Sequence, residues 1–189
     1  MVRLEMTAPT RLQLERLKTP LGEMFIASRD GAICNVEFVD TEERMQRLLA
    51  RHFGEVELAP AKSGAFAKAL RAYFDGEVEI LDTLPVKTNG TPFQERAWAA
   101  LRRIPVGTTR SYGEQARDIG ERDAARAVGL ANHLNPVGIV VPCHRVIGAD
   151  GSLTGYAGGL DRKRWLLEHE AKWAKNALPL FSDANRSKS

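Results

Sequence analysis

A chain of 189 residues is long enough for one generous globular domain or two small ones sharing an interface. With 43% hydrophobic and 27% charged residues it is too apolar for wholesale disorder. No apolar run approaches the roughly 18 residues of a membrane span, and Arg3, Glu5 and Arg11 interrupt any secretory h-region, so a cytoplasmic protein is expected. The net charge of +3 is unevenly spread: residues 1–89 carry 12 Lys/Arg against 14 Asp/Glu, whereas residues 90–170 carry 11 against 9, all arginine except Lys163. A mildly basic second half is compatible with nucleic acid, but a solvated surface would look the same. The two cysteines, Cys34 and Cys143, are read as free thiols, as a reducing compartment implies.

In chain order, Leu12, Leu14 and Leu17 begin an extended segment, and residues 24–28 and 32–38 form two strands joined by an Asp30-Gly31 hairpin turn. Alternation of Cys34, Val36 and Phe38 with Asn35 and Glu37 places Cys34 on an apolar strand face as a structural thiol. Thr41 is the expected cap of a helix whose Met45, Leu48, Leu49, His52 and Phe53 keep helical spacing until Gly54, with His52 packed and not ligating. A second helix carries Phe66, Leu70, Tyr73 and Phe74 and stops at Gly76. Residues 77–90 read as a strand and connector, and the Asn89-Gly90 break sets the expected boundary between a first domain (1–89) and a second (90–174), followed by a loose tail (175–189).

Thr91-Pro92-Phe93-Gln94 supplies an N-cap, a first-turn proline and a capping-box partner, opening a helix with Phe93, Ala97, Trp98 and Leu101 inward. Ser111 and Glu114 repeat the capping box, Gly120 turns the chain, and residues 122–133 form another helix, which is the outline of a helix-turn-helix. That helix surrounds Arg126 with Ala125, Ala127 and Gly129, so its backbone can lie close against a neighbour. Residues 137–141 read as a buried extended segment delivering Pro142-Cys143-His144-Arg145. A thiol is a nucleophile only as thiolate, and His144 and Arg145 offer the base and the positive field it needs. Adjacency alone would equally describe an inert buried cysteine.

Pro142-Cys143-His144-Arg145-Val146 resembles the active-site signature of the O6-alkylguanine-DNA alkyltransferases, the methylated-DNA–protein cysteine methyltransferases. The resemblance extends through most of residues 91–171, in Ser111-Tyr112-Gly113, Ala125-Arg126-Ala127-Val128-Gly129, Asn135-Pro136, Gly155-Tyr156-Ala157-Gly158-Gly159-Leu160, Trp165-Leu166-Leu167 and His169-Glu170. It implies an α+β fold: a ribonuclease-H-like sheet-and-helix domain, then a helical winged-helix/helix-turn-helix DNA-binding domain. It also implies direct, single-turnover repair in which Cys143 irreversibly accepts the alkyl group of O6-alkylguanine, with O4-alkylthymine as a candidate second substrate, in double-stranded DNA.

By the same resemblance His144 is the general base acting through a water, and Glu170, on a helix capped by Asp161, orients it. Asn135 is the hinge tying the recognition helix to the active-site segment. A stacked base cannot be attacked in line, so the nucleotide must be flipped out. Arg126 would then enter the stack, Tyr112 would contact the phosphate, and Tyr156 with the backbone around Val146 would line the guanine pocket. The Ala125, Ala127 and Gly129 face suits a minor groove about 6 Å wide. Ala157 stands where relatives often carry serine, so a backbone N–H must serve near O6 in place of a hydroxyl, and Gly138 stands where some carry proline, so a looser pocket is expected. No cofactor and no metal are expected, since Cys34 and four dispersed histidines lack ligand spacing; a monomer is expected. Two rivals are a non-enzymatic alkylated-base-binding protein, whose kind replaces the acceptor cysteine, and a cysteine hydrolase, which would turn over repeatedly.

Overall fold

A computed structural model describes residues 8–174, so the tail expected from residue 175 lies outside the described residues. The fold is α+β. Strands β1 (Thr10–Thr19), β2 (Gly22–Arg29) and β3 (Ala32–Phe38) form an antiparallel meander, and β4 (Val56–Pro60) adds parallel to β1, giving the order β3-β2-β1-β4. Asp30 and Gly31 both adopt positive φ, 52° and 75°, as a two-residue hairpin turn demands. The sequence reading missed β4, a short edge strand ending in Pro60 whose only signal is Val56 and Leu58.

Each sheet face buries a different cluster. Leu12, Phe25, Ala27 and Cys34 pack against Met45 and Leu49 of α1 (Glu42–Phe53). The other face, with Leu17, Met24, Ile26, Val36 and Phe38, packs against Leu70 and Tyr73 of α2 (Ala65–Phe74) and against the second half of the chain. Cys34 is structural, as read, but not on the face predicted. Register jumps from Ala27↔Asn35 to Ser28↔Ile33, leaving Cys34 as the extra residue of a bulge that turns it away from Val36 and Phe38. Thr41 precedes α1 but does not cap it, because its hydroxyl donates back to Phe38 O (2.8 Å) and Glu37 Oε1 (3.0 Å). Residues 77–90 hold no regular strand: a 3-10 turn at Ile80–Thr83 precedes a single bridge from Val86 to Ile33. His52 meets Trp98 edge-on, ring centroids 5.7 Å apart.

The second half is helical. Its first helix, α3 (Pro92–Leu101), carries the full Thr91/Gln94 capping box, and α4 (Tyr112–Asp118) the full Ser111/Glu114 one. Phe93 is only half-buried, its inward place being taken by Gln94. The next helix, α5 (Ala125–His133), starts three residues later than expected. Gln115 and Asn132 exchange side-chain amide hydrogen bonds (3.1 and 2.7 Å), and Trp98 Nε1 donates to Ala131 O (2.9 Å), which fixes α3, α4 and α5 as one unit. The last helix, α6 (Leu160–Trp173), begins after Gly159, and Asp161 sits in its first turn without making a cap. No helix among the described residues is long and apolar enough to cross a membrane.

Candidate active site

The segment bearing Cys143 is moored to the edge of the sheet. Val36 N donates to Pro136 O (3.0 Å) and Gly138 N to Val36 O (3.1 Å), so a proline at 138 would forfeit a docking bond. Residues 137–141 are buried as predicted but are not extended. They coil into a turn closed by Val141 N to Val137 O (2.9 Å), with Ile139 at φ 68°. A β-branched residue in that region is strained, on the order of 1–3 kcal/mol, and the surrounding packing must hold it there. Pro142 follows, then a 3-10 turn at Cys143–Arg145, then β6 (Val146–Ile147), which pairs in parallel with β5 (Arg110–Ser111).

Asn135, just beyond the end of α5, binds this turn from within. Its Nδ2 donates to Val141 O (2.8 Å) and to Cys143 Sγ (3.3 Å), and its Oδ1 accepts from Val137 N (3.0 Å). Cys143 is half-buried among fully buried neighbours. Burial pushes its thiol above the ordinary value, while the Asn135 donor and the charges of Lys163 and Arg44 pull it back. The resting group at neutral pH is therefore a thiol, which becomes a nucleophile only when a base takes its proton.

The neighbouring His144 and Arg145 both turn inward to Glu170 on α6, which is fully buried. His144 Nε2 lies 2.8 Å from Glu170 Oε1, and Arg145 grips both carboxylate oxygens, Nε to Oε2 at 2.8 Å and an Nη to Oε1 at 3.0 Å. Tyr73 donates its hydroxyl to Oε1 (3.0 Å), and Arg145 also donates to Ile104 O (2.7 Å). Burial alone would push the Glu170 carboxyl up, but His144 and Arg145 outweigh it and hold it well below the usual range. Burial pushes His144 down against the pull of Glu170, leaving a neutral imidazole. With an ionised partner at Nε2, the proton belongs on Nε2 and the lone pair on Nδ1, a buried atom with no hydrogen-bond partner among the described residues. The result is a neutral imidazole held by a buried carboxylate, on the residue that follows Cys143 in the chain.

Around this centre, Val146 is buried, while Tyr156 and Ala157 are half-buried. Burial and the nearby Cys143 push the Tyr156 hydroxyl far up, so it keeps its proton. Tyr156 is wedged in place: a Cβ on Gly158 would sit 2.8 Å from its ring and 3.2 Å from that of Phe38. Gly158→Ala should therefore displace Tyr156, costing about 1–3 kcal/mol of stability; an unchanged midpoint in urea denaturation would show that Tyr156 yields without cost. Tyr112 donates toward Thr154 O (3.2 Å) and Gly155 O (3.4 Å), and its ring lies beside Gly129, where a Cβ would be 3.7 Å away. Arg126 and Ala127 are exposed on α5, and Ala125 is half-buried.

Sequence reasoning missed Lys163, Arg44 and the polar role of Tyr73. Lys163 is fully buried, donates to Val146 O (2.5 Å) and Thr154 O (2.6 Å), and is pushed down to about 8 by burial, Cys143 opposing. A signal for it existed, since Lys163, Leu166, Leu167 and Glu170 share one helical face. Arg44 pairs with Glu37 and reaches from α1 to His133 O (2.5 Å) and Asn135 O (3.2 Å), a tertiary contact invisible to periodicity.

Residues 14–88 match the family described as 6-O-methylguanine DNA methyltransferase, ribonuclease-like domain, and residues 92–172 match its DNA binding domain. The chain is 48% identical to the methylated-DNA--protein-cysteine methyltransferase of Shigella flexneri over 164 residues, covering 85% of this chain and 96% of that protein. It is 46% identical over 170 residues to the protein so named in Mycolicibacterium paratuberculosis, covering 90% and 99%. Among solved structures, that of Mycobacterium tuberculosis OGT in complex with DNA is similar with a TM-score of 0.73 at 42% identity, covering 86% of this chain and 94% of that one.

Proposed function

The chain belongs to the 6-O-methylguanine DNA methyltransferase family, and from that membership we propose that it repairs DNA by direct reversal, moving the alkyl group of O6-alkylguanine onto Cys143. The observation that carries this reading is the buried Glu170–His144 pair next to the half-buried Cys143, with the His144 Nδ1 lone pair uncommitted. In the reaction, the thiol proton passes through a water to Nδ1, and Glu170 stabilises the imidazolium that forms. The thiolate attacks the alkyl carbon, a sulfur–carbon bond forms as the carbon–O6 bond breaks, and the departing guanine, hydrogen-bonded at a ring nitrogen by Tyr156, becomes neutral when the imidazolium returns its proton through water.

Asn135 restrains the sulfur without fully stabilising its anion. Lys163 and Tyr112 hold the Val146 and 154–155 backbone that frames the pocket. The boundary near residue 89 divides a sheet domain from the domain that binds the duplex. In that second domain α5 enters the minor groove through Ala125, Ala127 and Gly129, and Arg126 replaces the flipped nucleotide. The protein acts as a monomer.

A thioether has no leaving group for water to expel under these conditions, so each molecule reacts once. The test is a count: with excess duplex carrying labelled O6-methylguanine, protein-bound label should plateau at one methyl per molecule. Continued release of free label would instead identify a hydrolase, and lesion binding with no label gained a binding protein.

A further inference from the structure

The exposed surface of α5 does not end at Arg126. Arg126, Ala127, Leu130 and His133 are all exposed and share one helical face. That face runs about 10 Å, two helical turns, toward the sheet half of the molecule. There it meets a cleft of about 400 Å³ lined by Arg44, Arg47, Leu48 and Arg51 of α1 together with His133 and Leu134. No acidic residue lines this cleft among the described residues.

The C-terminus of a helix ordinarily repels anions. Here Arg44 covers that end of α5 by donating to His133 O and Asn135 O, while its own charge is matched by buried Glu37. Arg47 and Arg51 lie one turn apart, about 5–6 Å between Cβ atoms, and are exposed. Arg51 makes no ion pair among the described residues, and the Arg47–Glu43 pair, 3.8 Å long with side chains 71% and 94% exposed, gives way readily to a stronger anion. Adjacent phosphates of one strand advance 3.4 Å along the duplex axis, so two arginines at this spacing meet neighbouring or next-neighbouring phosphates.

We infer that the cleft between α1 and the end of α5 seats the phosphate backbone of the same duplex that α5 engages, so that the sheet half of the chain contributes directly to DNA affinity. This rests on the DNA-binding reading above and adds a second contact surface to it, with Arg47 and Arg51 as the phosphate ligands.

The test uses the full chain carrying Arg47→Gln and Arg51→Gln, which preserve helix propensity. Binding to an O6-methylguanine duplex just long enough for one molecule is measured by fluorescence anisotropy across a salt series. The slope of log affinity against log salt should shrink by about 1.8, corresponding to about 30-fold weaker binding near 0.15 M salt. Methyl transfer at saturating DNA should still reach one per molecule. An unchanged slope overturns the inference. So does a change seen only on duplexes long enough for two molecules, which would place an acidic surface of a second copy in the cleft. Failure of the unsubstituted chain to bind or transfer at all would instead remove the DNA-repair reading itself.

Discussion

A Cys143→Ser protein will fold and bind lesion-bearing duplex, but it will gain no mass, whereas the unsubstituted chain gains about 14 Da on Cys143, a methyl in exchange for a proton. The ordinary thiol value of 9.0 already leaves little thiolate at neutral pH, and burial raises it further in this site. In the proposed mechanism His144 draws the proton off as the sulfur attacks. A serine hydroxyl holds its proton far more tightly and is a poor nucleophile toward a saturated carbon, so transfer should fall below detection in intact-protein mass spectrometry. Cys34→Ser is the matched control. Cys34 is fully buried in an apolar cluster, its thiol is pushed up by burial, and its sulfur donates a long hydrogen bond to Ala32 O at 3.8 Å. That substitution should cost about 1–3 kcal/mol for burying a hydroxyl and leave labelling of Cys143 intact. A methyl found on Cys34, or on the Cys143→Ser chain, would refute the assignment.

The two capping boxes at Thr91 and Ser111 were legible because all their partners lie within four residues of one another. The Asp30-Gly31 hairpin was legible for the same reason. What failed depended on a partner distant in sequence. The bulge at Cys34 is fixed by pairing with β2, and the turn at 137–141 by docking on β3, so neither strand periodicity nor a β-branched run could reveal them. Thr41 and Asp161 occupy plausible cap positions, yet Thr41 is diverted by Glu37, and nothing in spacing announces such competition. The cluster of Cys143, His144, Asn135 and Glu170 was readable only through resemblance, since Glu170 lies 26 residues from its histidine. Arg145 seemed a source of field for the thiol. The structure turns it instead onto Glu170, whose carboxylate it shares with His144.

That arrangement makes Glu170→Gln a test of stability and of chemistry together. The substitution leaves Arg145, 1% exposed, without its counter-charge, and breaking such a buried pair costs about 3–5 kcal/mol. Because the Glu170 carboxyl is held below its ordinary value of 4.5, its contribution is complete above about pH 4.5 and is lost as the pH falls below it. The unsubstituted chain should therefore lose stability in acid along a slope that the glutamine variant lacks, measured by urea denaturation at several pH values. The same change replaces the charged acceptor facing His144 Nε2 with a neutral amide that no longer favours the imidazolium, and single-turnover transfer should slow by about 10²–10⁴-fold. Stability and rate separate in the double variant Arg145→Met/Glu170→Gln: removing both charges should restore much of the lost stability, yet transfer should stay slow because His144 still lacks its carboxylate. Recovery of the rate along with the fold would mean that Glu170 acts only as structural ballast for Arg145, and that His144 needs no orienting partner.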